Sequence, residues 1–131
     1  MQENRIVTEL FFEKPSFAEV SAVAKKLEEA GVNSLLLPPD DRGINTHLIV
    51  ETAELEKAKS KLNEAGVPFS EKEVLLVRLE NKPGTMADVT IKISNKGINL
   101  TYAFAVAVDA EHSILLIGSE DNEAALKVIS S

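Results

Sequence analysis

A short loop between Asn81 and Thr85 carries the residues of this sequence that are best suited to binding chemistry. It reads Asn-Lys-Pro-Gly-Thr and lies between an apolar run and a stretch with helical spacing. Pro83 keeps Lys82 out of helical geometry, and Gly84 lets the backbone pass without a side chain. The free amides around Gly84 at the helix start suit a carboxylate or phosphate oxygen. The alternative interpretation is a tight strand-to-helix turn in which Asn81 satisfies its own local backbone.

Other residues able to do chemistry are few and far apart. The chain has no cysteine, and its two histidines are His47, in a predicted strand, and His112, in a predicted turn. Their separation does not match metal-ligand spacing. The acidic pairs Asp40-Asp41 and Glu120-Asp121 lie in connections, where solvated turns and a helix cap are expected. We therefore predict no catalytic, metal or cofactor site, and a protein that is not an enzyme.

Composition narrows the class of partner. The 131 residues are 44% hydrophobic, which is enough for one compact core or for two small domains. A formal net charge of -7 opposes binding to nucleic acid, whose recognition depends on Lys and Arg. No apolar run is long enough to span a bilayer, and the polar start of the chain does not resemble a signal peptide. We expect a cytoplasmic protein with neither a nucleic acid nor a membrane partner.

The sequence contains two copies of one unit. EKPSFAEV at 13–20 recurs as NKPGTMADV at 81–89, and EEAGVN at 28–33 recurs as SNKGIN at 94–99. The pattern of each copy predicts the order strand, helix, strand, strand, helix. Only the first copy has a clear final strand after its second helix. The interpretation is α+β, with two ferredoxin-like βαββαβ repeats whose antiparallel sheets carry the helices on one face. The predicted domains are 1–73 and 74–131, and the second has one open sheet edge.

Start and stop signals mark four helices. A Ser/Thr residue followed three places later by Glu or Asp is typical of a helix start, and glycine often follows a helix end. The predicted helices begin at Ser16, at Thr52, at Thr85 and at Asp121 or Asn122, and the first three end at Gly31, Gly66 and Gly97.

Alternation and turn residues mark the strands. They are predicted at 6–12, 34–37, 46–51 and 67–73 in the first copy, and at 74–80, 100–109 and 113–119 in the second. Pro38-Pro39 indicates an edge for the second strand, because proline cannot donate to a ladder. In the strand at 100–109 bulky residues alternate with small ones. We expect the bulky face to cover the helices, and the alanine face either to meet another sheet or domain or to meet solvent.

The second copy resembles an ACT domain, a small ligand-sensing module found with enzymes of amino-acid metabolism. The resemblance is carried by RLENKPGTMADV, NKGIN and HSILLIGSED, and the first copy resembles a degenerate ACT domain. It implies that the loop between first strand and first helix binds a small amino acid at an interface with a neighbouring domain. The residues that match the ligand site are Asn81, Pro83, Gly84, Thr85, Met86, Ala87 and Asn99. The first copy has Glu13 and Ser16 in place of Asn81 and Gly84, which predicts a silent pocket there.

The resemblance implies a stand-alone regulatory protein that senses amino-acid levels and signals to a metabolic enzyme or other partner. We expect a homodimer, because the alternating strand at 100–109 and the open edge both offer pairing surfaces. The alternative is a purely structural module that assembles without a ligand. One observation distinguishes the two hypotheses. A ligand-sensing protein needs the loop at 81–85 to face another domain across a pocket, whereas an assembly module can leave this loop in solvent.

Overall fold

The computed structural model describes residues 4–13, 17–37 and 46–130, which divide into two compact units. We call Val7–Lys72 the first repeat unit, and residues 4–6 together with 73–130 the second repeat unit. The strands are β1 Arg5–Phe12, β2 Ser34–Leu37, β3 Thr46–Glu51, β4 Ser70–Glu80, β5 Leu100–Ala107 and β6 His112–Ser119. The helices are α1 Phe17–Glu29, α2 Leu55–Ala65, α3 Thr85–Ser94 and α4 Asn122–Ser130, with a 3-10 turn at Thr52–Glu54. None of these helices is long and apolar enough to cross a bilayer.

The first repeat unit packs two helices on one face of an antiparallel sheet. Its strands lie in the order β2-β3-β1, and Leu48 on β3 lies opposite both Leu10 on β1 and Leu36 on β2. Apolar side chains from these strands and from α1 and α2 form one core, with Phe12, Leu27 and Leu62 fully buried. The predicted α+β class is confirmed for this unit.

The second repeat unit repeats the arrangement with strand order β4-β6-β5. Its core joins the inward residues of β4 and β6 to Ile93 of α3 and Ala125 of α4. The start of the chain also belongs here, because Ile6 packs against this core and the side-chain oxygen of Asn4 accepts a hydrogen bond from the Arg78 amide at 3.2 Å. As predicted, the described chain has no strand after α4. Asn4 contacts the edge that this leaves beside β4.

One strand replaces two predicted ones. The sequence predicted separate strands at 67–73 and 74–80, whereas β4 is continuous from Ser70 to Glu80 and runs from the first repeat unit into the second. No Gly, Pro or Asn between these positions offers a turn. The strand begins late because Pro68 has no N–H to donate to a ladder.

The helix ends are predicted better than the helix starts. Gly31, Gly66 and Gly97 all have positive φ beyond a helix, and Asp121 caps α4 by accepting the Ala124 amide at 3.1 Å. The prediction for Thr52 is wrong, since it lies in the 3-10 turn and its hydroxyl is 3.1 Å from that of Thr8. The predictions at Ser16, Pro38-Pro39 and Asp40-Asp41 lie outside the described residues.

The predicted orientation of β5 is wrong. Residues directly opposite each other in an antiparallel pair point to the same face. Ala103 and Ala105 lie opposite Ile117 and Leu115, which belong to the helix-covered core, so the alanines are on the helix side. Tyr102, Phe104 and Val106 lie opposite Gly118, Leu116 and Ile114, so the bulky side chains are on the face away from the helices.

A register shift between Leu100 and Tyr102 accounts for this reversal. Leu100 still packs against the helix-side core, but the extra residue in the bulge turns the following side chains over. Ala103 and Ala105 are exposed, and Phe104 is 40% exposed. Neither face of β5 is therefore fully covered by the residues that the structure describes.

Gly118 makes room for the ring of Tyr102. A Cβ atom at Gly118 would lie 2.5 Å from Cδ1 of Tyr102 and 2.6 Å from the Thr101 hydroxyl oxygen. Both distances are shorter than van der Waals contact. The glycine thus lets the Tyr102 ring lie across β6 immediately after the bulge.

Replacing Gly118 by Ala should therefore lower the free energy of unfolding by about 1 to 3 kcal/mol, the usual cost of overpacking. Denaturant unfolding measures this change. The same substitution should cost less in a Tyr102→Ala background, because the ring is then absent. Equal costs in both backgrounds would show that the contact with Tyr102 is not the cause.

Candidate functional site

The loop at 81–84 ends in a left-handed glycine that begins α3. Gly84 is the N-cap residue, with φ 88° and ψ -14°, and no side chain caps the helix. The predicted capping by Thr85 is wrong, because its hydroxyl instead donates to the backbone carbonyls of Glu80 at 3.0 Å and Lys82 at 3.1 Å. These bonds draw the loop back onto the end of β4 and leave the helix start without a side-chain acceptor.

The first amides of α3 are available to a ligand. The helical ladder starts with the Asp88 amide, which donates to the carbonyl of Gly84 at 2.9 Å. The amides of Met86 and Ala87 precede it and have no acceptor within the helix. Both residues are exposed, and a Cβ atom at Gly84 would meet nothing within 4 Å. A carboxylate could approach these amides along the open side of Gly84.

Asn81 is fixed on both its backbone and its side chain. Its amide donates to the carbonyl of Glu111 at 2.7 Å, and its Nδ2 donates to the carbonyl of Ala110 at 3.4 Å. This pattern orients the side-chain amide, and in the described part of the chain Oδ1 has no hydrogen-bond donor. Asn81 therefore presents an acceptor, which suits a protonated amine.

The charged groups around the loop are paired with one another. Lys82 Nζ lies 2.7 Å from Glu80 Oε2, and this hydrogen bond lowers the pKa of Glu80 and raises the pKa of Lys82. The pKa of Asp109 is lowered chiefly by the Glu111 amide, then by the His112 amide. His112 Nδ1 also lies 3.1 Å from Asp109 Oδ1.

The structure does not bring Asn99 to the other predicted site residues. Glu80 lies opposite His112 at the start of β6, whereas Leu100, next to Asn99, lies opposite Ser119 at its end. The eight residues of β6 separate these ends by about 20 Å. Asn99 instead exchanges two bonds with Glu120: its amide donates to Oε1 at 2.9 Å, and its carbonyl accepts the Glu120 amide at 3.0 Å.

The corresponding region of the first repeat unit has different chemistry. Glu13 is exposed, and Ser16 lies outside the described residues. Buried Glu9 on β1 places Oε2 at 2.7 Å from Nδ1 of His47 on β3, and Oε1 at 3.7 Å from Nζ of Lys72 on β4. The sequence analysis missed Glu9, although a glutamate within an apolar strand was a visible signal. No three His, Asp or Glu side chains among the described residues are grouped to hold a metal ion.

The fold defines two ferredoxin-like units, and the first helix of the second unit begins without a side-chain cap. The chain belongs to the ACT domain pair family, whose model matches residues 10–131. Among curated proteins, none matches the sequence.

Solved structures share this fold at low sequence identity. A protein from Bacteroides thetaiotaomicron has a TM-score of 0.69 and 17% identity over 98% of this chain and 88% of its own. The ligand-free regulatory subunit of aspartate kinase from Thermus thermophilus has a TM-score of 0.65 and 16% identity, over 98% and 94%. E. coli aspartokinase III, in complex with lysine and aspartate, has a TM-score of 0.59 and 16% identity, over 98% and 32%. Similarity at this level establishes the fold.

The conformation of Gly84 leads to a stability prediction. With φ at 88°, a valine there should lower the free energy of unfolding by about 1 to 3 kcal/mol through backbone strain. Asparagine tolerates left-handed geometry and should cost less. Denaturant unfolding of Gly84→Val and Gly84→Asn tests the difference. Two variants as stable as the wild type would mean that the loop relaxes out of the left-handed conformation.

Proposed function

We propose that this protein binds a small amino acid at the loop from Asn81 to Ala87 and regulates a separate enzyme of amino-acid metabolism in the cytoplasm. The observation that carries the proposal is the uncapped start of α3. The N-cap is a glycine in open space, and no side chain competes for the amides of the exposed residues Met86 and Ala87.

The loop offers complementary groups for both ends of an amino acid. A ligand carboxylate would accept from the amides of Met86 and Ala87, where the helix dipole favours negative charge. The ligand ammonium would donate to Oδ1 of Asn81, whose orientation is fixed by the Ala110 carbonyl. A structural neighbour lends support, because E. coli aspartokinase III was solved with lysine and aspartate bound.

The position of Asn99 supports a homodimer. Within one second repeat unit it lies at the far end of β6 from the loop. β5 is the outermost strand of that sheet, and its free edge can pair with another strand. Antiparallel pairing of two β5 strands about a two-fold axis reverses their direction, and this brings the partner subunit's Asn99 toward the loop end. The predicted site residues would then meet across the interface.

A purely structural role is the second candidate. Asn81, Lys82, Pro83 and Gly84 are all exposed in the chain, as expected for a loop that takes no part in a pocket. The free edge of β5 would serve assembly without any ligand. The two candidates differ in whether an amino acid changes the stability of the protein.

Thermal unfolding with each common L-amino acid in turn tests the ligand. An amino acid that binds should stabilise the wild type by roughly 2.7 kcal/mol at about a hundred times its dissociation constant. Gly84→Asn is the matched control, because it keeps the turn but places a side chain beside the helix amides. Without ligand it should be only slightly less stable than the wild type, and it should gain no stability with ligand. A wild type that none of these amino acids stabilises would favour the structural role.

Light scattering tests the dimer. We expect a dimer at tens of micromolar, a range in which a modest interface with a micromolar dissociation constant is largely formed. Asn99→Ala should leave the dimer intact while weakening the response to the amino acid that stabilises the wild type. A monomer would remove the shared site. If the protein is a dimer but Asn99→Ala responds to the amino acid like the wild type, Asn99 is not part of the binding site, and the predicted dimer still stands.

A further inference from the structure

The turn that joins β5 to β6 is closed by the carboxylate of Asp109. Its Oδ1 accepts the amides of Glu111 and His112, each at 2.8 Å. The amides of Val108 and Asp109 in turn donate to the carbonyl of His112, at 3.0 and 3.2 Å. An aspartate that accepts amides two and three residues later fixes the backbone of a turn with its own side chain.

This turn also binds the loop at 81–85, which we call the ligand loop because it carries the proposed amino-acid site. The carbonyls of Ala110 and Glu111, both inside the turn, accept the two hydrogen bonds donated by Asn81. Asn81 is far from these residues in sequence, so the contact depends on pairing of β4 with β6, which places Glu80 opposite His112. The direction in which Asn81 presents its Oδ1 thus depends on where the turn holds these two carbonyls.

We propose that Asp109 is a positioning residue for the ligand loop: its carboxylate fixes the turn at 109–112, whose carbonyls orient Asn81. This inference rests on the proposed amino-acid site and extends it to a residue outside that site. The turn directly follows β5, so a displacement of this strand would reach Asn81 through the same bonds.

The exposure of Asp109 indicates that its side chain positions the turn and does not support the hydrophobic core. The side chain of Asp109 is 56% exposed, and none of the residues 108–112 belongs to the hydrophobic core of the second repeat unit. Loss of the Asp109 side chain should therefore disturb the turn and the loop more than the fold.

Three variants of Asp109 test the proposal. Asp109→Asn keeps a side-chain oxygen at the same position and should preserve the turn. Asp109→Ala removes the acceptor, and Asp109→Glu keeps the charge but misplaces it, so both should release the turn. The matched control is Asp121→Ala, which removes a carboxylate that caps α4 beyond the opposite end of β6.

The first measurement needs no ligand. Amide hydrogen exchange by NMR should be faster at Asn81 in Asp109→Ala and Asp109→Glu than in the wild type, Asp109→Asn or Asp121→Ala. The second is titration with the L-amino acid that stabilises the wild type most. The affinity for this amino acid should fall roughly three- to tenfold in Asp109→Ala and Asp109→Glu, as expected for one lost hydrogen bond. In Asp109→Asn it should be unchanged.

Unchanged exchange at Asn81 in both Asp109→Ala and Asp109→Glu would overturn the proposal, as would equal loss of affinity in Asp109→Ala and Asp121→Ala. If no common amino acid stabilises the wild type, the proposed function fails. The exchange measurement still decides whether Asp109 positions Asn81. If Asp109→Ala does not fold, Asp109→Glu decides the outcome.

Discussion

The pairing of β6 with both of its neighbours is the constraint on which the second repeat unit depends. At one end β6 lies opposite Glu80 of β4, and at the other it lies opposite Leu100 of β5. This register sets the loop at 81–85 beside the turn at 109–112, and it places Asn99 at the far end of β6. A shift of one residue would reverse the faces of the strand and separate Asn81 from its two carbonyl acceptors.

The helix start at Gly84 is open because neighbouring groups satisfy the backbone in other ways. Thr85 could have capped the helix, but its hydroxyl bonds the end of β4 and so holds the loop close to the sheet. Asn81 is secured by the turn between β5 and β6. The first helical turn thus has no side-chain cap, and the loop before it is anchored at both sides.

The two repeats have diverged at the position where they would bind a ligand. The second has Asn81 in its exposed loop, whereas the first has Glu13 at the matching position. Within β1 the first also has a buried glutamate, Glu9, paired with His47. An acid at the loop would oppose a ligand carboxylate. The sequence comparison of the two copies predicted this difference at Glu13, because the loop residues are local and read directly. It did not find the Glu9–His47 pair, whose members lie on different strands.

The sequence by itself determined the repeat, the α+β class, the glycines that end the helices and the residues of the loop, because each depends on neighbours along the chain. The tertiary structure decided the face that β5 presents, since one extra residue at a bulge reverses every side chain beyond it. It also decided that Asn99 lies apart from the loop and that Asp109 lies near it. These relations depend on the register between strands distant in sequence, which hydrophobic alternation alone does not specify.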